Sequence, residues 1–187
     1  MKIVVALTGA SGVIYGIRLL EELGRLGLET HLIMSEWAMK NIKIETDRSP
    51  ESVIALASRH YDDSNLAAPV SSGSFKTNGM IVIPCSMKTV SSIANGFDDT
   101  LISRAAGVCI KESRKLVVVP RETPLSRIHL VNMLKLTESG VTILPAMPGF
   151  YHKPKTLDDI IDHLVGKVLD QFNIEHSLFR RWGGAEK

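Results

Sequence analysis

Five short runs of almost unbroken apolar residues, rich in β-branched types, limit the fold of this chain more than any other feature. They are Ile3–Leu7, Thr30–Met34, Met80–Pro84, Leu116–Val119 and Val141–Pro145, each closed by Gly, Ser or Pro. A strand that is wet on one face alternates apolar with polar residues. A run without that alternation is buried on both faces, as in a parallel sheet covered by helices.

Helical patterns lie between the runs. Val13–Leu26 repeats apolar residues through Ile14, Ile17, Leu20 and Leu23 while Glu21, Glu22 and Arg25 face water. Ser86–Ala94, Asp98–Glu112, Pro124–Glu138 and Leu157–Phe172 follow. The alternation predicts an α/β fold: a single doubly wound, mostly parallel sheet flanked by helices and joined by right-handed crossovers. Rossmann-like and flavodoxin-like strand orders both satisfy it. With 187 residues the chain fills one domain, 1–187, and two cores would be cramped.

A net charge of +2, evenly spread, argues against a nucleic-acid surface. No apolar run approaches the roughly 20 residues that span a bilayer, so no membrane role is expected. The start MKIVVALTG reads as a strand rather than a signal peptide. Cys85 and Cys109 fit no zinc or redox spacing, and two reduced thiols in a cytoplasmic protein are expected.

Doubly wound sheets bind ligands beyond the carboxyl ends of their strands, so the residues after each run carry the functional reading. The first run leads into Thr8-Gly9-Ala10-Ser11-Gly12. Glycines permit a tight turn there, and the following helix offers unpaired N–H groups to an anion. Ser11 adds a hydroxyl, either as a helix cap or toward a ligand. The segment is neither GxGxxG nor a P-loop. Ser35-Glu36-Trp37 follows the second run, with Glu36 placed to hold a ribose or to serve as a first-turn acid. Ser86-Met87-Lys88-Thr89 makes a second cradle after the third run, and Arg121-Glu122 sets a guanidinium beside a carboxylate after the fourth. The fifth ends in the aromatic loop Pro148-Gly149-Phe150-Tyr151-His152.

Arg104 and Lys111, seven residues apart on one helix with Gly107 between them, share a face that a phosphate could approach. Asp158-Asp159-Ile160-Ile161-Asp162 has the outline of a magnesium-gathering DDxxD motif. A capping box between Thr156 and Asp159 accounts for these acids better, and no second aspartate cluster completes a metal site. Lys167 flanks the apolar stripe of Ile160, Leu164 and Val168, placed to reach a ligand or to snorkel into water.

These segments together resemble the UbiX family of flavin prenyltransferases, close to the members that accompany phenolic acid decarboxylases. The resemblance is carried by TGASGVIYGIRLL (8–20), SSGSFKTNGMIVIPCSMKT (71–89), RAAGVCIKESRKLVVVPRETPLSRIHLVNML (104–134), LPAMPGFYHKP (144–154) and RRWGG (180–184), nearly the whole chain. It implies a transferase that binds reduced FMN and dimethylallyl phosphate, needs no metal, and hands prenylated FMN to a UbiD-type decarboxylase. Carried over by position, Gly9, Ala10, Ser11, Ser35, Ser86, Met87, Lys88, Thr89 and Arg121 hold FMN. Tyr151 and Lys167 hold the prenyl phosphate, helped by Arg104 and Lys111 of a neighbouring subunit. Ser11 and Glu122 assist proton transfers. The resemblance also implies a homo-oligomer, a dodecamer, with the tail from about 173 in subunit contacts. Some relatives carry Arg where Lys167 stands, and Lys lacks the bidentate grip. Three rivals stand beside this reading: a flavin-dependent cysteine decarboxylase, for which His129 and His152 are the candidate histidines, a non-catalytic flavin carrier, and a nicotinamide oxidoreductase, disfavoured by the missing GxGxxG.

Overall fold

In a computed structural model that describes residues 1–183, the expected strands form one sheet with all pairings parallel. Gly184, the last residue of the RRWGG segment, lies outside the described residues. The elements run β1 (Lys2–Leu7), α1 (Val13–Arg25), β2 (Glu29–Met34), α2 (Glu36–Glu45), α3 (Pro50–Ile54), β3 (Arg59–Asp62), β4 (Gly79–Cys85), α4 (Met87–Ala94), α5 (Leu101–Lys111), β5 (Lys115–Pro120), α6 (Arg127–Glu138), β6 (Thr142–Ile143) and α7 (Leu157–Asp170). The strand order is β3-β2-β1-β4-β5-β6. That order, left open by the sequence, is the Rossmann one, and its direction reverses between β1 and β4.

The unbroken apolar runs are explained by two cores. On β1, Ile3, Val5 and Leu7 pack with α1, α2 and α7, while Val4 and Ala6 pack with α4 and α5 on the other face. Every second residue of β1 thus enters a different core, so no position is left for a polar side chain. At about 1.5–3 kcal/mol for each fully buried aliphatic side chain, these two cores, shared between strands and helices, supply the main favourable contribution to the fold.

Four elements differ from expectation. β3 was unforeseen because Arg-His-Tyr-Asp at the sheet edge is half exposed and carries no apolar run. α2 and α3 were also missed, since α2 buries only Ala38 and Ile42. β6 spans two residues where five were predicted. The Leu144 and Ala146 amides still donate to Val118 and Pro120 of the neighbouring chain segment, and Pro145 between them sits where an N–H would face away from β5 at the sheet edge.

Candidate active site

At the reversal point two strand-end loops are knotted by one buried hydroxyl. Thr8 Oγ1 donates to the Pro84 carbonyl (2.9 Å) and accepts from the Ser86 amide (2.7 Å). Ser35 caps α2 by accepting from Ala38 N, and Ser86 caps α4 by accepting from Thr89 N. By helix geometry the Met87 and Lys88 amides at the start of α4 have no acceptor within the helix. Between these caps lies a cavity of about 310 Å³, walled by Thr8, Gly9, Ser35, Ser86, Lys88 and Thr89. Asp63, Asp99, Thr100 and Ser103 also line it. A methyl at Gly9 would stand 2.6 Å from Cβ of Trp37, so only glycine lets the first loop lie against α2.

Of the residues assigned to the cofactor, Gly9, Ser35, Ser86, Lys88 and Thr89 share this wall. Ala10 is buried outside the cavity lining and takes the Asn41 side-chain amide on its carbonyl (3.3 Å). Met87 packs against the core under α4. Asp63 Oδ1 accepts from Ile102 N at 2.9 Å, and burial pushes its carboxyl above the usual aspartate value.

Ser11 is not the cap of α1. The N-cap is Gly12, at φ +98°, and the Glu45 carboxylate from the end of α2 accepts from the amides of Gly12 (2.8 Å) and Val13 (3.2 Å). A protein anion therefore already occupies the helix N-terminus that the sequence offered to a ligand, and the Ser11 hydroxyl is left exposed. Arg121 reaches across from β5 and donates Nε–H to the Ser11 carbonyl at 3.2 Å. Glu122 bonds its neighbour's amide, Thr123 N, at 3.0 Å and borders an apolar pocket of about 240 Å³ with Leu125, Met133 and Met147.

The remaining candidates fall into two further groups. Arg104 and Lys111 line an open basin against the Ser71–Ser74 segment, sharing no lining residue with the 310 Å³ cavity. Arg104 pairs with Asp98 (3.1 Å) and Lys111 with Glu112 (2.6 Å). The groove expected over Gly107 is filled by the Asp98 carboxylate, 3.2 Å from where a Cβ would sit. Tyr151 and Lys167 meet the same helix. Tyr151 Oη lies 2.7 Å from His163 Nε2, and Lys167 is 3.7 Å from Asp170. Asp170 also takes both Nη atoms of Arg181 and is 3.2 Å from His176, which folds the tail back on α7 and sets Trp182 edge-on to Tyr151 at 6.0 Å. Burial raises the Asp170 carboxyl, but the hydrogen bonds and charges of Arg181 and His176 together outweigh it and hold the group below the usual aspartate value. His129 is spent on the capping box of α6, its Nδ1 accepting from Ser126 N.

With this arrangement in view, comparison with known proteins is decisive. The chain matches the Flavoprotein family over residues 1–171. It is 54% identical over 185 residues to a probable UbiX-like flavin prenyltransferase of Escherichia coli O157:H7, covering 98% of this chain and 94% of the relative. The chain belongs to the UbiX-like flavin prenyltransferase family.

Two solved UbiX-like structures superpose closely. AnUbiX (PadA1), in complex with FMN and dimethylallyl pyrophosphate, matches at TM-score 0.97 and 54% identity over 99% of this chain and 98% of that one. A dodecameric FMN-dependent UbiX-like decarboxylase from Escherichia coli O157:H7 matches at TM-score 0.97 and 54% identity, over 98% and 100%. Within this UbiX-like chain, Thr8, Glu45, Asp63 and His163 were not singled out from the sequence. Thr8 had a local signal, a hydroxyl ending a buried strand. Glu45 and His163 had none, because their partners lie 33 and 12 residues away.

Proposed function

We propose that this chain joins a dimethylallyl group from dimethylallyl phosphate to reduced FMN held at the carboxyl ends of β1, β2 and β4. The observation that carries this is the 310 Å³ cavity, with its wall of hydroxyls, the Lys88 ammonium and a glycine that cannot be replaced without moving Trp37. Such a wall suits a phosphate and a polyol chain, and the binding of FMN by relatives of this fold supports it. Gly9, Ala10, Ser11, Ser35, Ser86, Met87, Lys88, Thr89 and Arg121 would hold the cofactor, Ala10 through the shape of the loop rather than by contact. When bound and reduced, FMN supplies the nucleophile at N5 and the ring carbon for the second bond.

The protein's part is orientation and charge. Lys167 and the Tyr151 hydroxyl receive the phosphate as it departs with the electron pair of the C–O bond. Tyr151 and Trp182 offer aromatic faces to the developing allylic cation. Ser11, freed from capping, and Glu122 move the protons released at the flavin ring. The Arg104–Lys111 basin lies apart from the cavity in its own chain, which favours delivery of these two cations to a neighbour's site in a dodecamer like that of the relative. The exposed apolar residues Ile128, Leu130 and Leu134 of α6, and the tail from about 173, provide surface for such contacts. Prenylated FMN would pass to a UbiD-type decarboxylase. Among the described residues no helix is long and apolar enough to cross a membrane.

The test is anaerobic incubation with reduced FMN and dimethylallyl phosphate in the presence of a chelator, followed by mass measurement of the released flavin. A gain of one five-carbon prenyl unit supports the reading. Unchanged flavin with both ligands bound would replace it with a carrier role. Tyr151→Phe and Lys167→Ala should impair use of the donor while FMN stays bound.

A further inference from the structure

Behind Tyr151 stands a buried histidine that the chemistry above does not use. His163 is 5% exposed, and its Nε2 lies 2.7 Å from Tyr151 Oη. Its other nitrogen, Nδ1, has no hydrogen-bond partner among the described residues. The ring is fixed by its neighbours. His152 stacks on it with centroids 4.4 Å apart and planes 9° from parallel, and Phe179 meets it edge-on at 4.8 Å. Gly149 leaves the space for the pair, since a Cβ there would stand 3.1 Å from Tyr151 Cε1 and 3.2 Å from His163 Cε1.

A neutral imidazole has one N–H and one bare nitrogen. If Nδ1 carried the proton, a donor would be buried with no acceptor, which is the rarer and costlier orphan. If Nε2 carries it, the group left without a partner is a lone pair. The second tautomer is favoured, and it decides the direction of the 2.7 Å bond: Nε2–H donates and the phenol oxygen accepts. The Tyr151 O–H then has no claim on it from within this pair.

We propose that His163 is a positioning residue for the prenyl donor: as the Nε2–H tautomer it donates to Tyr151 Oη and so turns the tyrosine proton outward, toward a phosphate oxygen. The inference rests on the reading that Tyr151 holds the donor phosphate. Burial, the stacked His152 and the nearby Lys167 all disfavour a charge on His163, with Asp170 the one opposing neighbour, so its pKa is held below the usual histidine value. The ring is thereby kept neutral, and the orienting bond is a neutral one whose loss weakens the donor without removing a cation.

Two measurements test it. In the first, dimethylallyl phosphate is titrated calorimetrically into enzyme loaded with oxidised FMN. His163→Leu should weaken the donor roughly 3- to 10-fold, the usual range for one neutral hydrogen bond, with FMN affinity unchanged. His163→Gln, whose amide N–H reaches the Nε2 position, should restore most of it. In a Tyr151→Phe background, His163→Leu should cost nothing further. An equal loss in both backgrounds would show a merely structural role and overturn the proposal. Unchanged donor affinity in Tyr151→Phe alone would instead remove the assignment of Tyr151, and this inference with it. The second measurement uses the unmutated chain: solid-state NMR of protein with nitrogen-15-labelled histidine, the His163 signals identified by their loss in His163→Gln. A protonated Nε2 is expected, and a protonated Nδ1 would overturn the proposal even if His163→Leu fails to fold.

Discussion

Arg121 Nε donates to the carbonyl oxygen of Ser11 across 3.2 Å, joining the loop after β5 to the loop after β1. The two residues are 110 positions apart, and the bond is a second tie on the first loop beside those of Thr8. Replacing Arg121 by Met keeps the length of the side chain and removes the donor. FMN binding should weaken about tenfold, equivalent to ~1.4 kcal/mol, with the melting temperature little changed. Fluorescence titration of the flavin checks this.

Gly9→Ala puts a methyl 2.6 Å from Trp37 Cβ, an atom attached to the first turn of α2 that cannot swing away as a side-chain tip could. Relief requires that α2 or the loop after β1 move, and both wall the cavity. Purified Gly9→Ala protein should carry less FMN and bind added FMN at least about tenfold more weakly, as read by absorbance and titration.

The cap that Glu45 provides for α1 is a charge-assisted one at the positive end of a helix. Glu45→Ala leaves the Gly12 and Val13 amides to water and should lower unfolding stability by about 1 kcal/mol. Urea denaturation measures the loss. If α1 instead depended on Ser11 for its cap, Ser11→Ala would show that loss and Glu45→Ala would not.

Glu22, expected on the water-facing side of α1, is instead buried; it takes both Nε and Nη2 of Arg25 and lies 3.5 Å from Arg18, which itself bonds Asp162 of α7 at 2.7 Å. The hydrogen bond from Arg25 holds the Glu22 carboxyl below its ordinary value of 4.5, against the effect of burial. A depressed acid stabilises the fold above its unfolded pKa, and that stability is lost as pH falls through the folded one. Stability should therefore decline as pH drops below 4.5, and Glu22→Gln should flatten that decline. At neutral pH Glu22→Gln should cost about 1–3 kcal/mol, since its arginine partners are partly exposed.

Much of the frame was legible because burial on two faces leaves a local imprint. The runs at β1, β4 and β5 are apolar at nearly every position, as two cores demand, while β2 buries Thr30 and His31 beside its apolar residues. β3 faces water at the edge and leaves no such imprint. The wall of the cavity was legible only where a strand end forms it, as at Gly9, Ser35 and Ser86. Glu45 could not be read, since nothing in a helix-ending glutamate says that it will meet the Gly12 amide. Nor could the sequence show that Asp98 would fill the groove beside Gly107.

The parallel register brings every loop with a proposed FMN contact to one rim and sends the turns that lead from helices back into strands to the other. Gly27 and Gly140 belong to that second rim, at φ +69° and +81°, and a Cβ on either would touch nothing within 4 Å. A surface tether attached at these turns would lead away from the rim of the proposed flavin contacts, which would stay open on an immobilised catalyst.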